Sequence, residues 1–215
     1  MLGGGFALAT YAGRWRDTKD IDLYIRPHER GRIVQALNRL GFEDYYSRVA
    51  YDRKWIYRSF KNDCIVDIIW AMANQRAQVD DAWFTRPGSV VRIRGEELRV
   101  LPMEEFMWCK FYILQRDHCD WTDIFNLLYC NGTHIDWDHL LNRLDEDVGL
   151  LKGLLTVYRW LCPKMAKTLP RSLWQKIEAR ERMFLSRPHR RNHIRLLDSR
   201  GWFAAAQAKG KKLEV

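Results

Sequence analysis

The stretch Thr18-Lys19-Asp20-Ile21-Asp22-Leu23-Tyr24-Ile25 decides how this chain is read. Its apolar residues predict a strand over 20–25. Side chains alternate faces along a strand, so Asp20 and Asp22 point the same way. Two like charges side by side are unfavourable unless something positive sits between them. Carboxylate oxygens are the hard ligands that a divalent cation such as Mg²⁺ prefers. Upstream, Gly3-Gly4-Gly5 reads as a turn without side chains, and the small apolar run to Ala12 predicts a helix that Arg14 to Arg16 close. A helix N-terminus behind such a turn offers backbone N–H groups and positive potential to phosphate oxygens.

A third acid stands further on. Asp67 interrupts the run Cys64-Ile65-Val66-Asp67-Ile68-Ile69-Trp70, which otherwise predicts a central strand. A lone buried carboxylate costs several kcal/mol unless it is paired or bound to metal. If its strand lies beside that of Asp20 and Asp22, the three carboxylates converge. Three such groups can hold two Mg²⁺ ions about 3.5–4 Å apart, an arrangement suited to phosphoryl-type transfer.

This order of elements resembles the nucleotidyltransferase superfamily, in its minimal, polymerase-β-like branch. Leu2-Gly3-Gly4-Gly5-Phe6-Ala7 matches the first element of the family pattern, Asp20-Ile21-Asp22-Leu23 the second, and Val66-Asp67-Ile68 the third. The triple glycine followed by an aromatic is similar to aminoglycoside and lincosamide nucleotidyltransferases and to toxin-type bacterial members. Leu101-Pro102-Met103-Glu104-Glu105, with Lys110, Arg116, Asp117, Asp120 and Asp123 beyond, looks like their helical half, so the resemblance spans residues 2–145. It implies an Mg²⁺- or Mn²⁺-dependent enzyme that moves a nucleoside monophosphate from an NTP to an acceptor hydroxyl, releasing pyrophosphate. Asp20, Asp22 and Asp67 would be its metal ligands, with Asp67 also the general base. Gly4 and Gly5 would contact the β- and γ-phosphates, Thr18 and Lys19 would touch phosphate, and Lys110 would neutralise pyrophosphate across the cleft. The family pattern has a helix and a strand ahead of the glycines. Here only Met1 and Leu2 precede them, which predicts an exposed sheet edge or a loosened phosphate loop.

The fold expected is α/β: a nucleotidyltransferase-like mixed sheet with flanking helices over 1–100, followed by a helical domain over 101–215. Pro27 starts a helix that runs to Leu40, with Ile33, Val34, Leu37 and Leu40 at helical spacing. Residues 42–51 and 54–60 read as strands, Asn62-Asp63 as a turn, and 90–100 as a hairpin around Gly95-Glu96. Helical periodicity then covers 103–116, 120–129 and 136–144, and two or three more helices break near Pro163, Pro170 and Pro188.

Composition narrows the function class. At 47% apolar residues, the 215-residue chain is globular and not disordered. No apolar run spans a bilayer, and the N-terminus lacks the basic leader of a signal peptide, so a cytoplasmic location and no membrane partner are expected. The five cysteines (64, 109, 119, 130 and 162) form no CxxC pair, which predicts reduced, mostly buried thiols rather than a zinc ribbon or a disulfide framework. His134 and His139 lack zinc-ligand spacing. Net charge is +9, and residues 164–195 hold ten Lys or Arg against Glu178 and Glu181. That segment reads either as a solvated helical face or as an attraction for phosphate-rich partners.

Other readings stand beside these. Lys110 fits a lysine that snorkels from an apolar stripe as well as it fits a phosphate contact. Asp117, Asp120 and Asp123 read as solvated or capping acids. Trp15 and Trp70 are candidates to stack on a nucleobase. The acceptor is open between an RNA or tRNA end and an aminoglycoside-like small molecule. A rival from another class keeps the fold without turnover, as a binding or regulatory member of a toxin–antitoxin pair. Oligomeric state and NTP preference are not legible.

Overall fold

The protein is seen in a computed structural model that describes residues 1–15, 17–114 and 119–185. Arg16, Arg116, Asp117, Pro188 and the arginines beyond residue 186 lie outside the described residues.

A four-stranded mixed sheet carries the first half. β1 (Asp20–Tyr24) runs parallel to β4 (Cys64–Ile69). β4 pairs antiparallel with β3 (Ile56–Lys61), and β3 with the two-residue β2 (Glu43–Asp44), in the order β1-β4-β3-β2. The β3–β4 hairpin turns on Asn62-Asp63, with Asn62 at a positive φ of 53°. α1 (Gly4–Ala12) precedes β1, and α2 (Arg30–Arg39) follows it after a 3₁₀ turn begun by Pro27. Val66 and Ile68 of β4 face α2 and pack with Ile33, Val34 and Leu37. The opposite face carries Asp20, Asp22 and Tyr24 of β1 with Asp67 and Ile69 of β4, as strand alternation requires. Tyr24 and Ile69 there join the core shared with α1 and the later helices.

A second hairpin, β5 (Val90–Ile93) and β6 (Glu96–Arg99), turns on Arg94-Gly95, one residue earlier than expected, because both residues take positive φ. Helices α4 (Met103–Phe111), α5 (Trp121–Asn131), α6 (Trp137–Leu144), α7 (Val148–Leu161), α8 (Pro163–Ala166) and α9 (Arg171–Leu185) complete the chain, after a short α3 (Asp81–Thr85). One hydrophobic core runs from Leu2, Tyr24, Ile56 and Ile69 through Phe106 and Leu127 to Leu154 and Ile177. α1 packs on α4 and α5, so the glycine turn is seated on the helical half.

Several expectations change. The aromatic run 42–51 forms only two residues of strand. Asp44 accepts a hydrogen bond from the backbone N–H of Tyr46 (2.9 Å) and bends the chain into a 3₁₀ turn, Tyr45–Ser47. The free edge of β1 is not bare. Met1–Gly3 lies along it: Tyr24 donates its N–H to the Met1 carbonyl (2.8 Å), and Gly3 donates to the Asp22 carbonyl (2.9 Å). Leu2 also bonds to Arg99 and Leu101, stitching the strip to the second hairpin. All five thiols are free, but only Cys109 is buried. Among the basic residues of α9, Lys176 pairs with Asp138 at 2.6 Å and Arg180 donates to the Leu141 carbonyl, so these two tie the helix down. No described helix is long and apolar enough to cross a membrane.

Candidate active site

The parallel register of β1 and β4 sets Asp22 beside Asp67, and Asp20 lies two residues back on the same face. One carboxylate oxygen from each of the three lies within 4.8 Å of the others. Asp67 is 2% exposed, while Asp20 and Asp22 are half-buried and open on one side. Burial, followed by the charges of Asp20 and Asp67, pushes the Asp22 carboxyl from its ordinary value near 3.8 up to about 7, against the pull of Lys110 and Arg58. Burial likewise raises Asp67, while the Arg58 hydrogen bonds and charge pull it back.

The glycines are required by this geometry. Gly4 opens α1 at a φ of +50°, and a Cβ on it would lie 1.7 Å from Asp22 Oδ2. A Cβ on Gly3 would meet the Tyr24 ring at 2.3 Å. The first turn of α1, whose N–H groups have no intrahelical partners, therefore rests directly against the acids. Thr18 donates its hydroxyl to the carbonyl (3.0 Å) or Oδ1 (3.1 Å) of Asp20, bracing the start of β1, and Lys19 is exposed beside it.

Two expected placements differ. Lys110 does not face the open side. It is 8% exposed, and its ammonium contacts Asp120 and Asp123, the latter at 3.0 Å. Both acids are themselves buried at the start of α5, neither solvated nor capping the helix with a side-chain bond. A lysine can stay charged there because two carboxylates meet it. Trp70 is also no stacking platform. It is 7% exposed, its indole N–H donates to the Lys54 carbonyl (2.8 Å), and the Arg30 guanidinium sits 4.6 Å from the ring centre. Trp15 is 65% exposed and meets Phe6 edge-on.

One residue of the site escaped the sequence reading. Arg58 on β3 lies opposite Asp67 and grips it with two hydrogen bonds, Nε to Oδ1 at 2.8 Å and a terminal nitrogen to Oδ2 at 2.6 Å. The same nitrogen is 3.5 Å from Asp20 Oδ2. A signal did exist. A two-residue hairpin turn at Asn62-Asp63 pairs Lys61 with Cys64, and counting back along both strands sets Arg58 against Asp67.

These residues suit a divalent cation. The donors are all carboxylate oxygens, the hard set that Mg²⁺ takes. Three of them converge, one guanidinium touches two of the three, and the missing side chain at Gly4 lets the start of α1 come up against Asp22. Among the described residues no other such convergence of His, Cys, Asp and Glu occurs.

Among curated proteins none matches the chain by sequence. Two solved structures of the antibiotic-resistance factor ANT(2″)-Ia are similar to it. The solution structure shares 18% identity, with 86% of this chain and 87% of that one covered and a TM-score of 0.38. The crystal structure of its complex with adenylyl-2″-tobramycin shares 21%, with 86% of each chain covered and a TM-score of 0.39. A family described as "Uncharacterised nucleotidyltransferase" matches residues 3–164, a span that holds the glycine turn, all three acids and most of the helical half; the chain belongs to that nucleotidyltransferase family.

Proposed function

We propose that the protein is an Mg²⁺-dependent enzyme that transfers a nucleoside monophosphate from an NTP to a hydroxyl group. The observation that carries this reading is the convergence of Asp20, Asp22 and Asp67 beside the glycine-led N-terminus of α1. Asp20 and Asp22 would hold the Mg²⁺ with the triphosphate, and Asp67 would complete the set. Mn²⁺ suits the same oxygens. When bound, such an ion supplies Lewis-acid neutralisation of charge on the phosphoryl oxygens.

The chain's own groups supply the rest. Backbone N–H groups of Gly4, Gly5 and the residue after them receive the β- and γ-phosphates at the positive end of α1. Thr18 and Lys19 border the same pocket of charge. The acceptor oxygen attacks the α-phosphorus, the bond to the bridging oxygen of the β-phosphate breaks, and pyrophosphate departs with the electron pair. Asp67 takes the acceptor's proton. Lys110, buried against Asp120 and Asp123, acts at a distance by favouring the ionised form of Asp22.

Incubation with each labelled NTP and Mg²⁺ tests the reading. Transfer of label by the wild type, lost in Asp20→Ala/Asp22→Ala, is the expected result, and label transfer by the double variant would sink it. Binding of NTP–Mg²⁺ without turnover would favour the regulatory rival. The acceptor classes separate by salt. An RNA end held by basic residues loses affinity steeply as salt rises, whereas an aminoglycoside-like molecule needs carboxylates to hold its amines.

A further inference from the structure

Arg58 sits inside the acidic cluster, yet the reaction just outlined asks no chemistry of it. It belongs to a transverse row: Arg58 on β3 faces Asp67 on β4, which faces Asp22 on β1. Its guanidinium engages both oxygens of Asp67 and leans toward Asp20 at 3.5 Å. The backbone is fixed as firmly. Its N–H donates to the Tyr51 hydroxyl (3.1 Å), a hydroxyl that in turn lies 2.9 Å from Asp44 Oδ1. The Tyr45 ring lies 5.8 Å from the guanidinium carbon. This is a held side chain, not a surface arginine that chanced on an acid.

Charge then limits what else the cluster takes. Three carboxylates carry three negative charges. One divalent ion leaves the set negative, and a second fits if nothing else is there. Arg58 already fills part of that role at Asp67. A second ion bound there would meet a guanidinium a few ångströms away, in surroundings where unlike charges attract and like charges repel strongly. A bidentate fork also fixes the plane of the carboxylate, which a point charge does not.

We infer that Arg58 is a positioning residue that stands in for a second divalent cation: it orients Asp67 and leaves the free protein with one ion, bound at Asp20 and Asp22. This rests on the reading of the three acids as a metal site. It predicts that the second ion, where one is used, arrives with the triphosphate and not before.

Titration with Mn²⁺ alone, without nucleotide, followed by the electron paramagnetic resonance of the free ion, decides it. Wild type, Arg58→Gln and Arg58→Lys are compared, with the fold of each checked by near-ultraviolet circular dichroism. The wild type is expected to take one Mn²⁺ per chain. Arg58→Gln takes two, the first on the order of tenfold more tightly. Arg58→Lys, which keeps the charge and loses the fork, takes one. Two ions on the wild type or on Arg58→Lys overturn the inference, and these two proteins decide it even if Arg58→Gln does not fold. An Arg58→Gln isotherm identical to the wild type overturns the inference alone and leaves the metal reading standing. No Mn²⁺ on any of the three overturns both.

Discussion

On the open face of the sheet, three carboxylates converge and a single guanidinium meets two of them, Asp67 and Asp20. In the helical half, Lys110 lies in contact with Asp120 and Asp123, and all three are buried. Both groups gather acids around a cation, but they are built for different ends. The second is closed: its lysine touches both acids, and all three residues are buried. The first is open and sets three acids against one guanidinium, and burial together with the neighbouring acids raises the Asp22 carboxyl. A cluster that keeps its charges in contact contributes to the fold, whereas one left short of a cation on an accessible face is poised to take one from solution.

Four measurements sharpen or break that contrast. The largest effect is expected from Asp20→Ala/Asp22→Ala. Loss of several kcal/mol of charge stabilisation lowers nucleotide transfer by about a thousandfold or more, since each 1.36 kcal/mol is tenfold. The metal-free melting temperature should hold or rise, because repulsion is removed. Next comes Lys110→Met, which leaves the closed pair without its lysine. It should cost about 3–5 kcal/mol in urea denaturation. A cost near zero would erase the distinction between the two clusters.

The third measurement concerns pH. Asp22 binds its proton more tightly in the folded protein than in the unfolded chain, where its pKa is near 3.8. Between about pH 4 and 7 the folded state therefore holds more protons, and the Asp22 contribution to metal-free stability falls as pH rises through that window. Asp22→Asn should flatten that slope in thermal melts. By the same linkage, Mn²⁺ affinity should climb with pH up to about 7, with release of a proton measurable by calorimetry in buffers of differing ionisation heat. The smallest effect is expected from Trp15→Ala. At 65% exposure its loss should change stability by no more than about 0.5 kcal/mol. An unchanged KM for the NTP would remove it as a nucleobase platform.

Much of the open cluster was legible because it rests on local rules. Alternation put Asp20 and Asp22 on one face, and an acid inside an apolar strand marked Asp67. What sequence could not supply was strand order. Placing β4 beside β1, so that Asp22 meets Asp67, depends on which helices cover which face, and that is settled by packing across the whole core. The closed cluster was misread for a related reason. Asp120 and Asp123 sit at the polar-looking start of a helix, and only the packing of α4 against α5 buries them. The run 42–51 failed in the other direction. Its aromatics suggested strand, but Asp44 turns the chain, and Arg53 lies over the rings of Tyr46 and Tyr51.

The Asn62-Asp63 turn carries a consequence for how this gene can change over time. β4 is held in register by β1 on its other side, so a residue gained or lost in the turn must be absorbed by β3. A slip of one position would swing every side chain of β3 to the opposite face and carry the arginine away from the acids. The turn can therefore drift in composition, within what its positive φ allows, but not in length. Among homologues, insertions should gather in the surface loops and leave the eight residues between Arg58 and Asp67 unchanged in number.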